Sequence, residues 1–384
     1  MKILNYSLYL CLIIIVAAIQ ECKCQSFTVR QIPNEIEHEF KVTKQERLYI
    51  LKKLKKPYDL TQSLPLGFVK DGSEDYTDLI QQGIDAHEEV IFPDFPLLIN
   101  PKGITINSNS RIYFPENSHL LLKSNGLLGY QVLRIHNVKN VDLYFPRVIG
   151  DRDTHLVSRA AWGFGISIRG SENISVHNPH VSKCMGDGIY VGFLKKPAKN
   201  ILIVNAISNN NRRNGLSITS AVDVKIEGGV FGNTNGQGPG CGIDIEPNGN
   251  NDEIKGIYLN DVTTFNNMNW GILINLVNLR KGPNLKLVEI NITSHKDIYS
   301  AYGMGMWLTK KGKNGKGVTG KINIVSSTWA DNKIGGFNYF HNDEHALKVQ
   351  FQDPKISKDK KLLIKDINDI KNLYSNDPNV SITR

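Results

Sequence analysis

The chain has 384 residues, 40% of them hydrophobic and 22% charged, a globular balance that excludes a disordered or fibrous polymer. Its 46 Lys and Arg against 37 Asp and Glu leave a net charge of +9, which suits a polyanionic partner and argues against a basic one. Glycine is frequent, at 33 residues, and asparagine recurs in apparent turns, so a helical bundle is excluded as well.

In chain order, residues 1–24 read as a signal peptide, with Lys2 at the start and an apolar run from Leu8 to Ile19 too short to span a bilayer comfortably. Cleavage is expected near Cys24 and Gln25. The rival is a retained or lipidated anchor, but Glu21 and Lys23 stand where a small residue would precede a lipidated cysteine. The mature chain is then exported, periplasmic or secreted, with no stable membrane insertion. Loss of Lys2, Lys23 and Glu21 takes the basic count from 46 to 44 and the acidic count from 37 to 36, leaving +8. For an exported monomer the expected partner is an acidic polysaccharide or oligosaccharide and not a nucleic acid. Lys52, Lys53, Lys55 and Lys56 read as solubility charge.

Residues 25–66 are expected to form an N-terminal extension with a capping helix. TKQE at Thr43 has the capping-box pattern, and the helix it starts must stop before Pro57. A second helix is expected across Tyr76 to Ala86, followed by the first strands in VIFPDFPLLIN from Val90.

From Gly165 onward a repeat dominates the chain. Glycine leads an alternating apolar strand in GISI at Gly165, GIYV at Gly188, GLSI at Gly215, GIDI at Gly242, GILI at Gly271 and GMWL at Gly305, with a weaker GFNY at Gly336. The spacings are 23, 27, 27, 29, 34 and 31 residues. Second short strands, NISVHN at Asn173, NILIVN at Asn200, DVKIEG at Asp223 and GIYLND at Gly256, fall within most periods. Such periods hold no crossover helix, so they describe a solenoid whose stacked coils pair in parallel about 4.8 Å apart. The expected fold is all-β, a right-handed parallel β-helix over residues 67–350 with an N-terminal helical cap and a C-terminal tail or cap over 351–384. KDGSEDYTDLIQQGIDA with VIFPDFPLLI, and the later GDGIYVG, NRRNGLSI and GCGIDIEPN stretches, resemble the entry and the coils of the pectate-lyase-like β-helix superfamily of carbohydrate-active proteins. That resemblance covers roughly Gly67 to Phe340. It implies the fold and leaves the reaction open, since the superfamily includes lyases, hydrolases, epimerases, dehydratases and phage tail spikes.

With each repeat glycine at position zero, positions +1 and +3 face the core and +2 and +4 face outward. The +2 column is then Ser167, Tyr190, Ser217, Asp244, Leu273 and Trp307, and the +4 column Arg169, Gly192, Thr219, Glu246, Asn275 and Thr309. Asp244 and Glu246 share an outer face about 6–7 Å apart along one strand. Arg212 and Arg213 precede Gly215, Asp187 precedes Gly188, and Arg152 and His155 lie on the loop leading to Gly165. The expected catalytic residues are Tyr190, Arg213, His155 and Asp244, and the expected substrate-binding residues are Arg152, Arg169, Asp187, Arg212, Glu246 and Trp307. Each has a plainer reading as a solvated strand residue, a turn cap or a pair within the wall. The glycines likewise have a plainer reading as tight-turn residues. Cys184 and Cys241 lie two coils apart, almost 10 Å, beyond disulfide reach, and are expected free and semi-buried.

Two chemistries fit these residue types. In β-elimination on a uronic acid, an arginine neutralises the sugar carboxylate and Tyr190 or His155 moves protons. A sugar leaving from C4 makes the enzyme a polysaccharide lyase, water leaving makes it a dehydratase, and proton return makes it a C5 epimerase. The alternative is glycoside hydrolysis by paired carboxylates among Asp187, Asp244 and Glu246. The motifs of the polygalacturonase-like hydrolases, an Asn-Thr-Asp run, an Asp-Asp pair, His-Gly and Arg-x-Lys, are missing here. A non-catalytic glycan-binding rod is the third reading. No cofactor is expected, with calcium possible at the hard oxygen ligands.

Overall fold

A computed structural model describes residues 27–280, 283–308, 317–339, 346–359, 361–362, 367–368 and 379–383. The expected signal segment, residues 1–24, and Thr309 lie outside the described residues. Among those described, no helix is long and apolar enough to cross a membrane.

Among the described residues the strands form two sheets, a nine-stranded parallel sheet that takes one strand from each successive coil and a 21-stranded sheet that forms the remaining walls. The nine-stranded sheet carries the glycine-led repeats. Its registers match the sequence frame from Gly165 to Gly271: Ile166 pairs with Ile189, Ile189 with Leu216, Leu216 with Ile243 and Ile243 with Ile272. These aliphatics are fully buried in one continuous core running the length of the solenoid. Each contributes about 1.5–3 kcal/mol of burial. The stacked coils turn their corners on left-handed asparagines, whose short polar side chains tolerate that backbone. Asn109, Asn140, Asn173 and Asn200, with φ of 62°, 58°, 56° and 51°, form one such column, in which the side-chain amides of the last three each donate to the asparagine one coil below at 2.8–3.0 Å.

The repeat glycines are required for a reason other than tight turns. None of Gly165, Gly188, Gly215, Gly242 and Gly271 has a positive φ. The adjoining wall approaches them instead, and a Cβ on Gly215 would stand 2.5 Å from the Gly242 carbonyl oxygen and 3.1 Å from the Phe231 Cβ.

One coil departs from the sequence frame. Trp270 pairs with Tyr302, Ile272 with Met304 and Asn275 with Trp307. Gly303 therefore occupies position zero and Gly305 position +2. Trp307 moves to the +4 column, where its indole meets Trp270 edge to face at 5.8 Å.

The N-terminal part divides into a plug and a strap. The Thr77–Ala86 helix sinks Ile80 and Ile84 into the main core and closes the first coils, as an exposed solenoid end requires. The Lys44–Lys53 helix forms with the expected capping box between Thr43 and Glu46 but does not cover that end. With Asn34–Glu39 it runs along the outside of the 21-stranded sheet, where Ile32 and Phe40 pack on Val230 and Phe265, and Leu54 packs near Tyr113 and Phe145. The first wall strand, Tyr58–Asp59, pairs with Val90 and Ile91 and so lies before residue 67.

Candidate active site

The parallel register makes neighbours of residues a coil apart. Tyr190, Ser217 and Asp244 stand on consecutive rungs. Arg213, two residues ahead of Gly215, is held there by its backbone N–H on the Gly186 carbonyl at 3.0 Å. From that point its guanidinium reaches three carboxylates. Nη1 donates to Asp187 at 2.9 and 3.2 Å, and Nη2 lies 3.5 Å from Glu246 and 3.9 Å from Asp244. The Ser217 hydroxyl donates to Asp187 at 2.9 Å, the Asn214 amide to Asp244 at 3.0 Å, and the Asn275 amide to Glu246 at 2.7 Å.

Electrostatics decide the protonation of this cluster. Three carboxylates against one guanidinium carry two net negative charges when all are ionised, an unstable sum for buried groups. Asp187 and Asp244 are 0% and 1% exposed. Burial pushes the Asp187 carboxyl upward, and Arg213 and Ser217 offset this only in part. Burial, then the negative charge of Glu246, drives Asp244 well above the ordinary carboxylate range. Asp244 Oδ1 is buried without a hydrogen-bond partner, which leaves the ionised form of this carboxyl poorly satisfied. Burial pulls Arg213 down, yet Asp187, Asp244 and Glu246 together hold it above its usual value, so it remains a cation.

Before this cluster opens a small cleft of about 90 Å³, lined by Ala161, Trp162, Tyr190, Arg213, Thr219, Glu246 and Asn248. Glu246 is the member of the acid trio that reaches it. The Tyr190 hydroxyl shares a hydrogen bond with Thr219 at 2.8 Å, and its ring stacks on Phe164 at 4.5 Å. Burial raises the Tyr190 phenol above its ordinary value, against opposing effects of Thr219 and Arg169. Trp162, 56% exposed, stands edge-on to Phe164 at 6.2 Å and offers an open aromatic face. Arg169 lies 5.5 Å over the Tyr190 ring and spends its Nε on the Phe193 carbonyl at 3.1 Å. Among the described residues it forms no ion pair.

The cleft thus gathers Tyr190, Arg213 and Glu246, with Arg169 against it and Asp187 and Asp244 behind. Other expected members lie elsewhere. His155, its side chain 1% exposed, bonds through Nδ1 to Asp151 at 2.7 Å. That carboxylate also accepts from Tyr130 and Asn125, each at 2.8 Å, so His155 anchors its loop and does not line the cleft. Arg152 donates to Asn210 and Asn235, and Arg212 to Gln237 and to the Ser158 carbonyl. Both brace the loops walling the cleft instead of facing a ligand. Trp307 is removed from the Tyr190 column by the register of its coil. Cys184 and Cys241 are free, and fully buried where half-burial was expected. Among the described residues no group of three or more His, Cys, Asp or Glu is arranged to hold a metal ion, and the acid trio is drawn around Arg213. Sequence reasoning missed Trp162, Asn214 and Asn248; Trp162, three residues ahead of Gly165 and beside a repeat, carried the one usable signal.

The fold is a right-handed parallel β-helix. It is similar to the mannuronan C-5 epimerase AlgE4 A-module of Azotobacter vinelandii, at TM-score 0.52 and 13% identity over 78% of this chain and 88% of that one. PfbA, a surface adhesin of Streptococcus pneumoniae, gives TM-score 0.51 and 12% identity over 79% and 86%. A 1,3-α-1,4-β-D-galactose-4-sulfate-3,6-anhydro-D-galactose-2-sulfate 4 galactohydrolase gives 0.53 and 10% over 79% and 76%. At such identities the likeness is one of fold. By sequence the chain resembles two uncharacterized Bacillus subtilis proteins. YclG is 29% identical over 279 residues, 64% of this chain and 47% of YclG, and the SPbeta prophage-derived YorA is 30% identical over 167 residues, 39% of this chain and 28% of YorA. The chain spans less than half the length of either relative. No family model matches it.

Proposed function

We propose that this β-helix is a carbohydrate-active enzyme that performs β-elimination on a uronic-acid-containing glycan bound in the Tyr190 cleft. The observation that carries the reading is the meeting of three chemistries: the Tyr190 phenol and the Glu246 carboxyl in the lining of the cleft, and Arg169 over the Tyr190 ring with no ion pair among the described residues. The uronate carboxylate binds Arg169, whose positive charge stabilises the negative charge developing on C5 and the carboxylate. Glu246 removes the C5 proton. The C5–H electrons form the C4–C5 double bond, the C4–O4 bond breaks, and O4 takes the Tyr190 hydroxyl proton. Arg213 orients Glu246, and Trp162 supplies an apolar face for a sugar ring. The galactohydrolase and epimerase neighbours favour a glycan substrate, and the apolar run from Leu8 to Ile19 favours export.

Hydrolysis is the second reading, favoured by one arrangement: Asp244 and Glu246 lie two residues apart on one strand, and burial, then the charge of Glu246, raises Asp244 well above the ordinary carboxylate range. Incubation with oligo-uronates separates the outcomes. Growth of the ultraviolet absorbance of a C4–C5 double bond supports elimination. New reducing ends without it establish hydrolysis, inversion at C5 by NMR establishes epimerisation, and binding without turnover establishes a glycan-binding rod. Any of the last three overturns the lyase proposal.

A further inference from the structure

Another cavity, sharing no lining residue with the cleft, lies between the N-terminal strap and the 21-stranded wall. It encloses about 400 Å³, within the range of small-molecule sites. The strap is fastened on both sides of it. Toward the N-terminus, Arg30 exchanges backbone hydrogen bonds with the Asn233 side chain at 3.0 and 2.8 Å. Toward the C-terminus, the Lys55 and Lys56 N–H groups donate to Glu89 at 2.8 and 3.0 Å.

Its floor is a column of outward-facing side chains. Arg147 pairs in register with His180, and its Nη1 lies 3.2 Å from His119 Nε2. Burial, then Arg147, pushes His180 down to about 4 and lowers His119 as well, so both rings are neutral near pH 7. The floor's charge therefore rests on Arg147. Arg47, from the Lys44–Lys53 helix, joins it from the strap, donating to the Phe114 carbonyl at 3.0 Å and lying 4.5 Å over the Phe145 ring. Among the described residues neither arginine forms an ion pair. The acids of this cavity, Glu37 and Glu116, are exposed at its mouth, as are Lys41 and His38.

Two guanidiniums, one of them half-buried, facing a shared cavity repel each other and forgo most of their donors, and the exposed Glu116 offsets the burial and repulsion at Arg147 only in part. An oxyanion between them would relieve both deficits at once, since a guanidinium fork matches sulfate, phosphate and carboxylate alike. We propose that this cavity is a second ligand site, taking a small molecule that bears one such oxyanion on a body of about one or two sugar rings, and that the bound ligand clamps the strap to the wall. The site is independent of the reaction assigned to the cleft.

The test uses the full chain at constant ionic strength. Sodium sulfate, sodium phosphate and a hexuronate are titrated against sodium chloride and a neutral hexose, following the thermal midpoint and the rate of tryptic cleavage at Lys41 and Lys44. At least one oxyanion is expected to raise the midpoint saturably by several degrees and to slow cleavage. Which of the three does so identifies the group recognised. Arg147→Gln and Arg47→Gln should each weaken the apparent affinity tenfold or more, whereas Arg169→Gln, in the cleft, should leave the sulfate and phosphate responses, and the anion-dependent slowing of cleavage at Lys41 and Lys44, unchanged. If Arg147→Gln does not fold, Arg47→Gln, on a half-exposed surface helix, carries the test. The absence of a saturable effect from all three anions overturns the proposal, as does an equal effect in the arginine variants.

Discussion

Replacing Arg213 with methionine keeps most of the side-chain volume and removes the cation that serves Asp187, Asp244 and Glu246. Asp187 is wholly buried and would lose two charge-assisted hydrogen bonds, keeping the one from Ser217. Breaking a buried pair in this way costs about 3–5 kcal/mol; with Arg213 20% exposed the lower figure applies, about 3 kcal/mol near pH 7. The pH dependence has a definite sign. Asp187 and Asp244 already have folded values raised above the ordinary aspartate range, so their contribution to stability is fullest below that range and is lost as pH rises through the folded values. Without Arg213, which lowers both, the folded values rise further. The penalty of Arg213→Met therefore grows with pH and is smallest below about pH 4, where aspartates are protonated folded or unfolded. Urea unfolding followed by circular dichroism at pH 4 and pH 8 reads this directly. Adding Asp187→Asn, which removes the stranded charge, should restore about 1 kcal/mol or more, the scale of coupling between residues in one buried network. Equal losses at both pH values, or a double variant weaker than the single one, would refute the account of Arg213 as the counter-ion of buried acids.

Tyr190→Phe should lower kcat on oligo-uronate about 100-fold or more with KM little changed, because a proton donor to O4 is lost while the stacking on Phe164 is kept; steady-state kinetics check it. Arg169→Gln should raise KM at least tenfold for the uronate substrate and leave the inhibition constant of a carboxyl-reduced analogue unchanged, which steady-state kinetics with the analogue as competitive inhibitor measure. Gly215→Ala should lower the thermal midpoint by several degrees, since its Cβ would meet the Gly242 carbonyl oxygen at 2.5 Å. An alanine variant as stable as the parent would return that glycine to a turn role.

The sequence by itself determined the solenoid, because its core obeys a short-range rule. A strand sends every second residue inward, so Ile189/Val191, Leu216/Ile218 and Ile243/Ile245 mark both the coils and their common frame. The same counting brought Tyr190, Arg213 and Asp244 to one wall, and the stacked registers hold them there. Counting failed where two frames fit equally well. GMGMW offers two glycines two residues apart, and only pairing against Trp270–Asn275 selects Gly303. Tertiary structure alone also decided which groups face a ligand. Asp244 is on the outer side of its strand, yet Arg213 and Asn214 cover it to 1% exposure, while His155 is drawn onto Asp151 by a loop that no repeat spacing describes. Strand alternation is local and survives in the sequence. Loop paths, and the desolvation and charge they impose, arise from contacts between distant coils, and only the folded chain contains them.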